Sequence, residues 1–182
     1  MKLQTPKNSQ RLAYRPITQN DFEEWLALFD KEEVAIFIGL DQSLSKRALC
    51  EKWFEKVFHR YENNLGGMNA IIDAESRVLV GQCGLLIQDI EGQQMLEVGY
   101  SILPNHWGKG YASEAAQAHR NHAFENKLAN ELVSVVHVDN IKSAKVAINN
   151  GMRIVKTLVE KDGMAINLFR ITQEEYLGLM GV

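Results

Sequence analysis

One stretch constrains this chain more than any other: Leu103 to Ala115, LPNHWGKGYASEA. A β-rich segment ends at Pro104, whose missing N–H suits a strand end. Gly108 and Gly110 then admit backbone conformations closed to other residues and let a ligand come close. From there the chain enters a predicted helix, Gly108 to Asn126, whose first amides have no internal partner. Several N–H donors thus converge where the helix dipole favours negative charge, and phosphate is the natural guest. The nucleotide loop G-x-x-x-x-G-K-[ST] is absent, and Gly108-x-Gly110 lacks the third glycine of the dinucleotide fingerprint. On the glycines alone, a plain strand-to-helix turn explains the stretch as well as a ligand does.

The elements around the loop are those of a mixed α/β domain. Arg11 to Ile17 reads as a first strand, and Thr18 with Asp21 as an acidic variant of a helix-start box. Phe22, Trp25, Leu26 and Phe29 recur at helical spacing. A second helix spans Ser45 to Tyr61, with Leu49, Trp53, Val57 and Tyr61 on one stripe. Met68 to Asp73, Val78 to Gln88 and Met95 to Leu103 are β-rich. A strand at Glu131 to Val138 and a helix at Asn140 to Asn149 follow, the helix closed by Asn150–Gly151. Met152 to Glu160 and Met164 to Ile171 are strands joined at Asp162–Gly163, and Thr172 with Glu175 opens a short last helix. The order is βααβββαβαββ. With no repeat, low-complexity tract or linker, residues 1–182 are expected to form one domain, its core at about 11–172 and residues 1–10 a loosely held leader.

Charge and composition narrow the partners. Twenty Lys and Arg against 23 Asp and Glu give a net charge of −3, which argues against a dedicated nucleic-acid binder. No apolar run approaches a membrane span, and the polar N-terminus MKLQTPKNSQ has no secretory core. Cys50 and Cys83 lack motif spacing and read as free thiols of a reducing compartment, so a cytoplasmic location is expected.

The stretch EVGYSILPNHWGKGYASEA resembles the acetyl-CoA motif of the GNAT (GCN5-related N-acetyltransferase) superfamily, a strand followed by Q/R-x-x-G-x-G/A and a helix. Trp107 stands where Gln or Arg is usual, followed by Gly110 and Ala112. Trp-Gly-x-Gly-Tyr-Ala is similar to the branch of ribosomal-protein alanine and serine N-acetyltransferases. Asn140-x-x-Ser143 with Gly151-Met152 resembles the family's second motif, N-x-x-[SA]…G-F. The resemblance covers about Arg11 to Thr172. It implies a mostly antiparallel sheet splayed between its fourth and fifth strands and flanked by helices. Acetyl-CoA would be the acyl-donor co-substrate, with no metal. The amides of Trp107, Gly108, Lys109, Gly110, Tyr111, Ala112 and Ser113 would hold the pyrophosphate, with Lys109 adding charge. Tyr100, Ser101 and Ile102 would pair with the pantetheine arm, which Asn140 and Ser143 would also bond. A bulge near Gly99–Tyr100 would fit the splay.

The implied activity is transfer of an acetyl group to a primary amine by direct attack. Glu97 stands where relatives often carry a proton-accepting glutamate; the plain alternative is a solvent-facing strand carboxylate. Many relatives place a Tyr seven residues after the motif asparagine as an acid for the leaving thiolate, and here that residue is Ala147. Ser143, Tyr100 or a water is left for that task. An α-amine is easier to deprotonate than a lysine, so a protein N-terminus is the expected acceptor. A small amine (a polyamine or an aminoglycoside) and a non-catalytic acyl-CoA-binding module of the same fold are the alternatives, and a homodimer is open. His119 and His122, three apart on a helix, read as an exposed polar face rather than a metal pair. His106 reads as a solvated loop residue, Trp53, Phe54 and Phe58 as core, and some of Trp25, Phe29, Phe37 and Ile38 as acceptor-cleft lining.

Overall fold

A computed structural model describes residues 3, 5–159 and 163–181 of the chain. Seven strands form one sheet in the order β1-β2-β3-β4-β5-β7-β6. They are β1 (Leu12–Pro16), β2 (Gly66–Asp73), β3 (Leu79–Ile90), β4 (Gln93–Ile102), β5 (Glu131–His137), β6 (Arg153–Val159) and β7 (Ala165–Thr172). Neighbours are antiparallel except β4 and β5, which run parallel and share one register position, Glu97 opposite Val133. The sheet is therefore splayed at that seam, as the family resemblance implies.

Helices cover both faces. On one lie α1 (Phe22–Trp25), α2 (Glu32–Phe37) and α3 (Lys46–Glu62), burying Trp25, Leu28, Phe54 and Val57 against the sheet. On the other lie α4 (Tyr111–Glu125), α5 (Ile141–Asn149) and α6 (Gln173–Met180), with Ala115, Ala116, Phe124 and Tyr176 in the core. β3 is buried on both faces from Leu79 to Leu86, hence its largely apolar run, interrupted by the buried Gln82. Local caps define the helix starts: Ser45 accepts from Ala48 N, Asn140 from Ser143 N, and Thr172 with Glu175 forms a reciprocal box.

Several expectations change. The periodic run after Thr18 is not one helix: Leu26–Asp30 winds as a 3₁₀ segment between α1 and α2. Trp25 and Leu28, three apart and both fully buried, are aligned by that tighter winding. The helix expected from Gly108 begins at Tyr111, with the glycines left in the loop. No bulge breaks β4 against β3, whose register runs continuously from Gly81–Ile102 to Ile90–Gln93. Gly99 is instead a packing glycine opposite Gly84, and a Cβ on it would meet Leu86 Cδ1 at 2.7 Å. Leu96, Val98 and Ile102 accordingly line one core, with Tyr100 packed against it. Within the first ten residues, Thr5 bonds Asn69, Pro6 is buried and Ser9 bonds Glu114. Gly163 has a φ of +88°, and its partner in the expected hairpin turn, Asp162, lies outside the described residues.

Candidate active site

The open seam between β4 and β5 contains a cavity of about 630 Å³, within the usual range for a small-molecule site. α3 contributes Trp53, Lys56 and Arg60 to its wall, and β4 contributes Glu97, Gly99 and Tyr100. Beyond lie Val135 on β5 and, at the start of α5, Asn140 and Ser143. The cavity thus runs from the α3 side of the sheet to the α5 side. It exists because two parallel neighbours that diverge cannot continue a ladder. One buried carbonyl at the seam is satisfied by a side chain, Ser134 Oγ donating to the Val98 carbonyl at 2.7 Å.

Glu97 is buried in this wall and is not a solvent-facing strand carboxylate. Gln88 Nε2 donates to Oε2 at 2.6 Å, and Val135 N donates to Oε1 at 3.3 Å. Burial raises its proton affinity above that of an ordinary carboxylate, while both donors and the nearby Arg60 charge oppose the rise. A carboxylate held by donors yet inclined to protonate suits proton abstraction.

Tyr100 points into the same cavity, its hydroxyl donating to the Ser143 carbonyl at 2.9 Å. Burial raises its pKa, so it is a neutral phenol at ordinary pH. Ala147 is fully enclosed in the core of α5. The hydroxyls that line the cavity at this end are therefore those of Tyr100, Ser134 and Ser143.

The glycine loop follows the end of β4, the middle strand of the sheet. Gly108 and Gly110 have φ of +75° and +80°, and Gly110 occupies the N-cap of α4 without a capping side chain. The helix start is thus left to offer its amides outward. Loop side chains are turned into the protein: Trp107 Nε1 donates to the Ile102 carbonyl at 2.6 Å, and Tyr111 OH to Asp73 at 2.7 Å. The first contact already engages the Ile102 carbonyl expected to face a cofactor. Asn149 Nδ2 donates to Ser113 Oγ at 3.4 Å, tying α4 to α5.

Two contributors escaped the sequence reading because they lie far away in the chain. Arg11, at the entry to β1, donates to Glu114 at 2.7 Å and to the Lys109 carbonyl at 3.0 Å, fastening the loop. Arg60 on α3 donates at 2.9 Å to Gln88, the residue that holds Glu97. Phe37 and Ile38 do line the cavity, whereas Trp25 and Phe29 belong to the core. Phe54 is core, and Trp53 and Phe58 are partly buried, with Trp53 also facing the cavity. His119 is not on an exposed face. It is fully buried, with Nδ1 2.8 Å from the Ala115 carbonyl and Nε2 3.2 Å from Asn69. Among the described residues no cluster of three or more His, Cys, Asp or Glu could share a metal, and no helix is long and apolar enough to cross a membrane.

A sheet in this strand order, opened between β4 and β5, with a helix start that lacks a capping side chain after β4, defines the acetyltransferase class of α/β domain. The chain belongs to the GNAT acetyltransferase family: the acetyltransferase (GNAT) domain model matches residues 11–153. It is 26% identical over 147 residues to the uncharacterized N-acetyltransferase YoaA of Bacillus subtilis, covering 80% of this chain and 81% of that one. A shorter match, 36% over 86 residues, reaches YkkB of the same species, spanning 47% of this chain and half of that protein. Among solved structures, an acetyltransferase from Agrobacterium tumefaciens superposes with a TM-score of 0.74 at 25% identity, covering 93% of this chain and 95% of that one. Spermidine N-acetyltransferase from Vibrio cholerae, in complex with CoA and spermine, superposes at 0.71 and 21% identity over 92% and 98% of the two chains. A ribosomal L7/L12 α-N-protein acetyltransferase in complex with CoA does so at 0.72 and 17%, over 90% and 95%. These last two likenesses establish the fold.

Proposed function

We propose that this protein transfers the acetyl group of acetyl-CoA to a protein N-terminal α-amine by direct attack. The observation that carries the reading is Glu97, buried in the wall of the cavity that opens between β4 and β5. The amides from Trp107 to Ser113, with Lys109, would receive the pyrophosphate. The pantetheine arm would enter the seam past Tyr100, Ser101 and Ile102, with Asn140 and Ser143 on its far side. In the reaction the acceptor's ammonium proton passes to the Glu97 carboxylate. The freed nitrogen forms a bond to the thioester carbon, the C–S bond breaks, and the new amide nitrogen sheds its extra proton as the thiolate takes one up. The phenol of Tyr100 or the hydroxyl of Ser143, residues that line the cavity, would supply the thiolate's proton, and a thiol of pKa near 8.5 leaves readily.

Two features favour an α-amine. Deprotonating it at pH 7 costs about 1 kcal/mol, against about 4–5 for a lysine, which a single carboxylate base can meet. Lys56 and Arg60 stand in the wall, and two cations there disfavour a polycationic acceptor. A small-amine acceptor is the second reading, favoured by Asp89 and Glu91 at the far rim and by the fold shared with the spermidine enzyme.

Thiol release from acetyl-CoA with N-terminal peptides, polyamines and aminoglycosides is the test. Turnover confined to peptides supports the proposal, turnover confined to small amines replaces it with the second reading, and CoA binding without thiol release overturns catalysis. Glu97→Gln should lower kcat/KM by about 10²–10⁴-fold and remove the acid limb of the pH profile, with CoA binding retained.

A further inference from the structure

Gln88 is a polar residue of β3 with no motif to explain it. Glu97 stands opposite Leu86, and Gln88 two positions further along β3 stands opposite Met95. Gln88 and Glu97 are therefore diagonal neighbours on one face of the sheet, a separation that two long side chains span. Across that face lies α3, whose Arg60 donates to the Leu65 and Ile87 carbonyls, each at 3.1 Å, and to Gln88 Oε1 at 2.9 Å. A guanidinium only donates. Gln88 must turn its oxygen to Arg60 and its NH₂ to Glu97, where Nε2 meets Oε2 at 2.6 Å. With Val135 N on the other oxygen, both carboxylate oxygens face donors.

We propose that Arg60 and Gln88 are positioning residues that act through Glu97: Arg60 orients the Gln88 amide, and that amide keeps the buried carboxylate ionised and fixed toward the cavity. The inference rests on Glu97 being the base. Arg60 has no alternative orientation to offer, because two backbone carbonyls clamp it. Without the relay, the rise that burial imposes on the proton affinity of Glu97 would be opposed by one less donor, leaving Val135 N. Other charged or titratable groups share the cavity: Lys56 on α3, Asp89 and Glu91 at the end of β3, Tyr100 on β4 and His137 on β5. Glu91 is paired with Lys156 at 2.6 Å, and Asp89 Oδ1 accepts from Gly92 N at 2.8 Å.

The pH dependence of kcat/KM in Gln88→Leu, Arg60→Met and Arg60→Lys, beside Glu97→Gln, is the test. A hydrogen bond to a charged group can move a pKa by about one to two units. Gln88→Leu and Arg60→Met are expected to move the acid limb up by about that much, with the high-pH plateau and CoA heat protection kept. Arg60→Lys, retaining a charged donor, is expected to move it less. An unmoved limb in both variants, while Glu97→Gln abolishes it, overturns the relay and leaves Glu97 as base. A limb that survives Glu97→Gln overturns both. Titration of the Glu97 carboxyl carbon by NMR reads the same shift without turnover and covers a variant whose rate is too low to profile.

Discussion

His119 shows how far one side chain can depart from its local pattern. The ring is enclosed between Asn69 and the edge of Tyr14, 5.1 Å away, and burial lowers its pKa from 6.5 to about 4. Between those values the unfolded chain binds a proton that the folded one refuses. The contribution of His119 to stability is thus complete above about 6.5 and is lost as pH falls toward 4. His119→Gln should flatten the decline of the melting temperature over that interval, and an unchanged slope would show that other groups set it. Its helical neighbours at 118 and 122 carry no sign of this environment, since a helix face is buried or exposed by what the fold lays against it.

At the scale of the element, the loop before α4 combines local chemistry with a distant clamp. The positive φ of Gly110 excludes β-branched residues at a cost of about 1–3 kcal/mol, and a Cβ there would also stand 3.4 Å from Arg11 Nη2. Gly110→Val should abolish protection of the protein by CoA against heat; full protection would sink the loop as the CoA site. Arg11 acts on the same turn from β1, its guanidinium 4.9 Å from the Tyr111 ring centroid and bonded to Glu114. A cation at a helix start would itself oppose the dipole, and Glu114 offsets that. What Arg11 adds is order in the loop and charge near an arriving phosphate. Arg11→Met should weaken CoA binding by about two- to fivefold, the scale of one charge at a helix end, and reduce its salt dependence.

The whole molecule is two cores on the two faces of one sheet, with the cavity crossing between them where β4 and β5 part. A ligand spanning that seam would stabilise both sides together. CoA at about 100 times its Kd should add about 2.7 kcal/mol, raising the melting midpoint by about 5–10 °C for a domain of this size. Glu97→Gln should show the same rise, because on the proposed reading the carboxylate would serve the acceptor and not the pyrophosphate; a lost rise would place Glu97 in CoA binding. Much of this plan is legible in the sequence. The strand and helix order, the αL glycines and the Asn140 and Thr172 caps are each written within a few consecutive residues, where φ preferences, capping atoms and periodicity act. What the tertiary structure decided is environment. Gly99 reads as a bulge until Leu86 is packed over it, and Phe22 to Phe29 reads as one helix until Trp25 and Leu28 are buried together. Glu97 is only a strand carboxylate until Arg60 and Val135, more than thirty residues away on either side, close around it. Solvation, proton affinity and close packing are properties of all the neighbours of a group at once, and only the folded chain assembles those neighbours.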